Sequence, residues 1–251
     1  MNNLFTKPIK TEYKIRKERI YPINHKHVSG KNIVYLIERE FHLSNNDGLL
    51  FAKELSMKYK LPVKVIYNIK IHKDDSLNRF INSEIFYLEK IEAVKNKDII
   101  KYLNSINTAV LIVDYIPNRD TKNIFRSTNF KVYEVDGHNI IPERLLIHNG
   151  EIFTKENFWD IINKYINFFT DYPNEEYKNT SAIKAFEKFM TYLDSNSQCL
   201  FFKYLKYGFI SMRKTVIDIL KSNLPITIKQ DLLYKIILHL EQEENFNILV
   251  Q

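Results

Sequence analysis

Cysteine is nearly absent. The single Cys199 cannot close an internal disulfide or build a thiolate metal cluster, which fits a reducing, cytoplasmic setting. Glycine is almost as scarce, with five residues: Gly30, Gly48, Gly137, Gly150 and Gly208. No two are spaced for G-x-G-x-x-G or a Walker loop, so both common phosphate cradles are excluded. The zincin helix H-E-x-x-H and the nucleophile elbow G-x-S-x-G are missing as well. These absences leave no catalytic residue and no metal ligand to nominate. No apolar run approaches the roughly 18 residues of a bilayer span. Met1 to Lys17 is polar and basic without an apolar h-region, so neither membrane insertion nor secretion is expected.

The chain has 251 residues, enough for one large or two modest domains, and 45% are hydrophobic. That share supports a packed core and argues against disorder. Net charge is +7, a mild lean toward polyanions. Only eight of the 37 basic residues are arginine. Lysine offers no bidentate fork to a base, so any binding to DNA is expected to be weak and non-specific.

Residues 1–31 read as a polar lead-in of turn signals rather than an element. Asn32–Ile37, Pro62–Tyr67, Ala109–Val113 and Asn129–Val135 read as strands. Asn46 or Asp47 can cap a helix running to about Lys60, and Asp98–Ile106 is a second short helix. Residues 76–95 carry apolar positions at near-helical spacing. Continuous apolar strands between helices predict an α/β domain over 32–150, a Rossmann-like open parallel sheet covered on both faces. Ligands would then lie beyond the strand C-termini, where loops 38–46 and 114–120 sit. From 151 to 251 the strand signal stops and helical faces follow, giving an all-α region.

These pieces resemble, in order, the photolyase/cryptochrome family, specifically the class II DNA photolyases. Glu18-Arg19-Ile20 through Asn24 resembles E-R-[VI]-x-x-L-N, and Val34 to Glu40 resembles V-Y-W-M-Q-R-D. Asn45 to Ala52 is similar to D-N-W-A-L-L-Y-A, and Pro62 to Asn68 to P-V-x-V-x-F-N. Asp114 to Arg119, including Pro117, is similar to D-F-S-P-L-R. Tyr133 to Pro142, with Asp136, His138 and Asn139, resembles Y-E-V-D-A-H-N-I-V-P. Asn196 to Ser211, with Tyr204 and Tyr207, resembles S-P-Y-L-H-F-G-Q-I-S. The likeness covers nearly the whole chain but only the N-terminal half of the family, so a truncated relative is expected.

The resemblance implies an α/β antenna domain followed by the start of an FAD-binding helical domain. In the family that domain takes a pyrimidine dimer flipped out of DNA and splits it with light-excited reduced flavin. It assigns structural roles to Asp114, Pro117, Arg119, Asp136, His138 and Asn139. It makes Tyr204 and Tyr207 the remnant of a flavin-contacting stretch. Glu38, Arg39 and Asn46 line the edge where an antenna deazaflavin or folate would sit. Three departures set the expectation for activity. The interval between Ala93 and Val110 is short, and a strand is expected to be missing there. Cys199 to Lys203 stands where the family has S-x-L-S-P. Lys235 to Gln242 replaces E-L-[IV]-V-R-R-E-L and loses both arginines. Deoxyribodipyrimidine photo-lyase activity is therefore not expected of this chain alone, nor is FAD retention. A noncatalytic module binding a chromophore, nucleotide or protein is the alternative, as is one half of a two-chain enzyme. Val216, Ile219, Leu220, Ile236, Ile237 and Leu240 would pack on family helices beyond this sequence. Their surface is expected to be exposed here and to drive a homodimer or capture of a separately encoded C-terminal half.

Overall fold

The computed structural model describes residues 15–42, 46–69, 79–80, 91–95, 98–116, 119–151, 154, 156–165, 168, 180–192 and 195–249. The chain divides into two compact units, Arg19–Gly137 and a second that joins Met1–Glu18 with His138–Gln251.

The first unit is built on a six-stranded sheet. Its strands are β1 (Ile20–Pro22), β2 (Asn32–Ile37), β3 (Val63–Asn68), β4 (Glu92–Val94), β5 (Thr108–Asp114) and β6 (Lys131–Val135). They lie in the order β1-β6-β5-β2-β3-β4. All pairings are parallel except β1 with β6, which is antiparallel. Helices α1 (Asp47–Tyr59), α2 (Ile99–Ser105) and α3 (Arg119–Arg126) connect the strands. The α/β class and the open sheet follow from the apolar strands. Every residue of β5 is buried, as a strand covered on both faces requires. Val34, Leu36, Leu111, Val113 and Val132 pack with Leu103 of α2 and Phe125 of α3. The alternate residues face α1, where Phe51 meets Tyr133 edge-on with ring centroids 5.2 Å apart.

Two expectations need correction here. The lead-in contains an element after all: Lys17–Arg19 is a 3₁₀ turn and Ile20–Pro22 is an edge strand. Its sequence is too short to show a period, and its pairing comes from β6, more than a hundred residues later. Residues 92–94, placed within a helical stretch, form the parallel edge strand β4. Between β4 and β5 the described residues hold helix α2 and no further strand. Most of the remaining helical reading at 76–95 lies outside the described residues.

The second unit is helical from α4 (Glu143–His148) and α5 (Phe158–Lys164) through α6 (Thr180–Tyr192) and α7 (Ser195–Lys206) to α8 (Met212–Lys221) and α9 (Ile226–Leu249). Val216, Ile219, Leu220, Ile236 and Ile237 are buried, which corrects the expected exposed face; the side chain of Leu240 lies outside the described residues. The helices close on one another instead. Phe158 of α5 meets Tyr234 of α9 edge-on at 5.0 Å, and Phe189 of α6 stacks on Phe201 of α7 at 4.4 Å.

Candidate functional site

The end of the sheet where β2, β5 and β6 finish is filled by the chain's own polar groups. Asp114 closes β5 and is buried. Its Oδ1 accepts the Tyr35 hydroxyl at 2.5 Å. Its Oδ2 accepts three successive backbone N–H groups, from Glu38 and Arg39 at 2.8 Å and from Glu40 at 3.0 Å. The chain leaving β2 has to turn here, and three adjacent amides converge on one anion as in an anion-binding nest. Asn46 works from the next loop. Its Oδ1 caps α1 by accepting from the Leu49 amide at 2.7 Å, while Nδ2 reaches the Tyr35 hydroxyl at 2.8 Å and the carbonyls of Glu40 and His42.

Arg19 enters the same region fully buried. It donates to the Asp136 carbonyl at 2.6 Å, its own carbonyl accepts from the Asp136 amide at 2.8 Å, and its guanidinium lies 3.8 Å from Asp47. Gly137 is needed beside it. A Cβ there would come within 2.5 Å of the Glu40 carboxylate and 3.0 Å of the Asp47 Cβ. A Cβ on Gly48 would meet the Tyr35 ring at 2.5 Å. Glu134 accepts from the Ile116 amide at 3.1 Å and pairs with Lys122 at 3.2 Å, which fixes the loop after β5. Lys122 also stands over the Tyr115 ring at 4.7 Å.

The electrostatics follow from the crowding. Burial, then the charges of Asp114 and Glu40, hold the Tyr35 hydroxyl well above its ordinary pKa, so it stays a donor. Asp114 has both oxygens engaged, which suits it to hold two loops together and leaves it poorly placed to take a proton from a substrate. Among the described residues no group of three or more His, Cys, Asp or Glu is arranged to hold a metal ion.

The structure brings some of the sequence-predicted residues together and scatters others. Asn46 and Asp114 meet through the Tyr35 hydroxyl, and Asp136 is buried with its backbone held by Arg19. Glu38 and Arg39 are half-buried and join it through their backbone amides. Arg119 starts α3 and is exposed, and Pro117 lies outside the described residues. In the second unit His138 and Asn139 are buried. Tyr204 is buried edge-on to Phe209 at 6.3 Å, and Tyr207 is half-buried at the end of α7. Sequence reasoning passed over Arg19, Tyr35, Glu40 and Asp47 as site residues. All four stand in segments singled out in the sequence: Arg19 and Glu40 are charges beside strands, Tyr35 is the hydroxyl within β2, and Asp47 opens α1.

No family model matches the chain, and no curated protein matches it.

Proposed function

We propose that the chain is a class II photolyase-related protein whose α/β unit keeps the family's framework, while its helical region neither holds FAD nor repairs DNA by itself. One observation supports the kinship most directly. Five of the resembling segments supply polar groups to the same end of the sheet. Tyr35, the amides 38–40 and Asn46 are hydrogen-bonded around Asp114. Arg19 holds the Asp136 carbonyl with its guanidinium 3.8 Å from Asp47, and Glu134 holds the Ile116 amide. Residues that depend on one another in space have a physical reason to recur together.

The stretch that resembles a flavin contact supports the second half of the reading. Phe201 is fully buried, stacked on Phe189 and tilted against Phe186, so this turn of α7 serves the apolar core. Phe202 offers no hydroxyl to a phosphate. Lys235, at the position resembling a dimer-facing carboxylate, pairs with Asp231 one turn earlier at 2.8 Å. The contacts at the sheet end spend Asn46 and Asp114 on the fold, which supports a noncatalytic unit and leaves neither side chain to a ligand.

The test is to load the purified chain with excess FAD, desalt it and record the visible spectrum, then illuminate it with an oligonucleotide containing a thymine dimer. Neither a stoichiometric flavin band nor dimer reversal is expected. Either result would overturn the proposal.

A further inference from the structure

Charge is sorted along the strand direction in the first unit. Parallel strands begin at one end of a sheet, and β1, being antiparallel, finishes there. Among the described residues four segments meet β1, β2, β3, β5 and β6 at that end: 24–32 after β1 and before β2, 58–63 before β3, 104–110 before β5, and 126–132 before β6. Strand β4, at the far edge, starts three residues further along the sheet, with the exposed Glu92 opposite Ile66. None of the four segments contains an aspartate or glutamate. They carry Lys26, Lys31, Lys58, Lys60 and Arg126, all exposed, and half-buried Lys131. His25 and His27 add two exposed imidazoles. The opposite end gathers Glu40, Asp47, Asp114, Glu134 and Asp136.

We propose that the N-terminal end of this sheet is a docking surface for the phosphate backbone of nucleic acid, without regard to damage or sequence. The proposal rests on charge placement alone and not on the lineage argued above. Charge complementarity selects a polyanion. Strands β6, β5, β2 and β3 at about 4.8 Å spacing spread the cations over about 14 Å, a length of duplex carrying about eight phosphates. The same end offers rings beside the charges. Lys58 stands 5.3 Å from the Tyr59 ring centroid and Lys131 5.1 Å from that of Tyr133, and base–aromatic stacking accompanies lysine contacts where single strands bind. An anionic membrane fits less well. Met57 and Ile124, the large exposed apolar residues described in this unit, sit on α1 and α3 over opposite faces of the sheet, so they form no cluster to insert.

The experiment is fluorescence anisotropy of the full chain with labelled undamaged duplex and single-stranded DNA across a salt series. The variant combines Lys26→Gln, Lys31→Gln, Lys58→Gln and Lys60→Gln. A charge-matched control combines Lys184→Gln, Lys188→Gln, Lys203→Gln and Lys221→Gln, on exposed positions of the helical unit. Circular dichroism checks that both fold. The variant should lose about tenfold or more in affinity at low salt, and its salt slope on duplex should fall by up to about 3.6, or about 0.9 for each phosphate no longer neutralised. The control should stay within about twofold of the parent. Equal losses in variant and control would overturn the proposal. So would a parent chain that ignores nucleic acid at low salt, whether or not it binds vesicles containing anionic lipid.

Discussion

Asp114 ties the end of β5 to β2, because four donors, the Tyr35 hydroxyl of β2 and three amides of the loop after it, end on its carboxylate. Asp114→Ala would strand three amides and the Tyr35 hydroxyl, and should cost about 3–5 kcal/mol in urea unfolding. The pair Glu40 and Gly137 makes a sharper test. In the resembling motifs these positions read Asp and Ala, a shorter acid facing a larger neighbour. Here the longer carboxylate occupies the space a Cβ would take. Gly137→Ala alone should cost about 1–3 kcal/mol by overpacking. Combined with Glu40→Asp it should recover at least half of that loss, and a strictly additive double mutant would show that the two positions are not coupled.

At the scale of elements, α1 is held by a cap that does two jobs. Asn46→Asp keeps the acceptor that caps the Leu49 amide but loses the donors to Tyr35, Glu40 and His42, and it adds a carboxylate beside Asp114. Although Asp is as good a cap as Asn, the variant should lose about 2–4 kcal/mol in thermal or urea unfolding, as much as Asn46→Ala. Helix α2 is tied to β4 by the Tyr102 hydroxyl, which donates to Glu92 at 2.5 Å. That hydrogen bond, with burial and the Glu92 charge, pushes the Tyr102 pKa up to about 12. The raised value favours the neutral form in the fold, so this contribution is fully present below the unfolded pKa of about 10 and is lost as pH rises through about 12. Phenolate absorbance should show one tyrosine titrating earlier in Glu92→Gln. The elements differ in how far the sequence announces them. Strands β2, β3, β5 and β6 show as apolar runs and α1 as a capped amphipathic stretch. Strand β1 has three residues and ends in Pro22, which an edge position accommodates without the amide an inner strand would need. Glu92-Ala93-Val94 joins the sheet only because β3 already stands beside it. In the site, Asn46 and Asp114 were visible as cap and strand end, whereas Arg19 acquires its role from Asp47 and Asp136 across the fold.

For the whole molecule, two units with separate cores offer separate reporters. Trp159 is the only tryptophan and stands in the helical unit, edge-on to Phe158 at 4.8 Å. In Asp114→Ala the far-ultraviolet transition of the sheet should move to lower urea while the Trp159 fluorescence midpoint stays in place. A tryptophan transition that moves with it would mean that the chain unfolds as one cooperative body.

The pairing of Arg19 with Asp136 also fixes an order of events. At about 5–20 residues per second, the ribosome needs roughly 6–23 seconds to make the chain between them. Throughout that interval β1 has no strand to join and Arg19 no carbonyl to meet. The first of the described strands to be made is therefore the last to be stitched in, and the nascent sheet must grow outward from β2 while β1 waits.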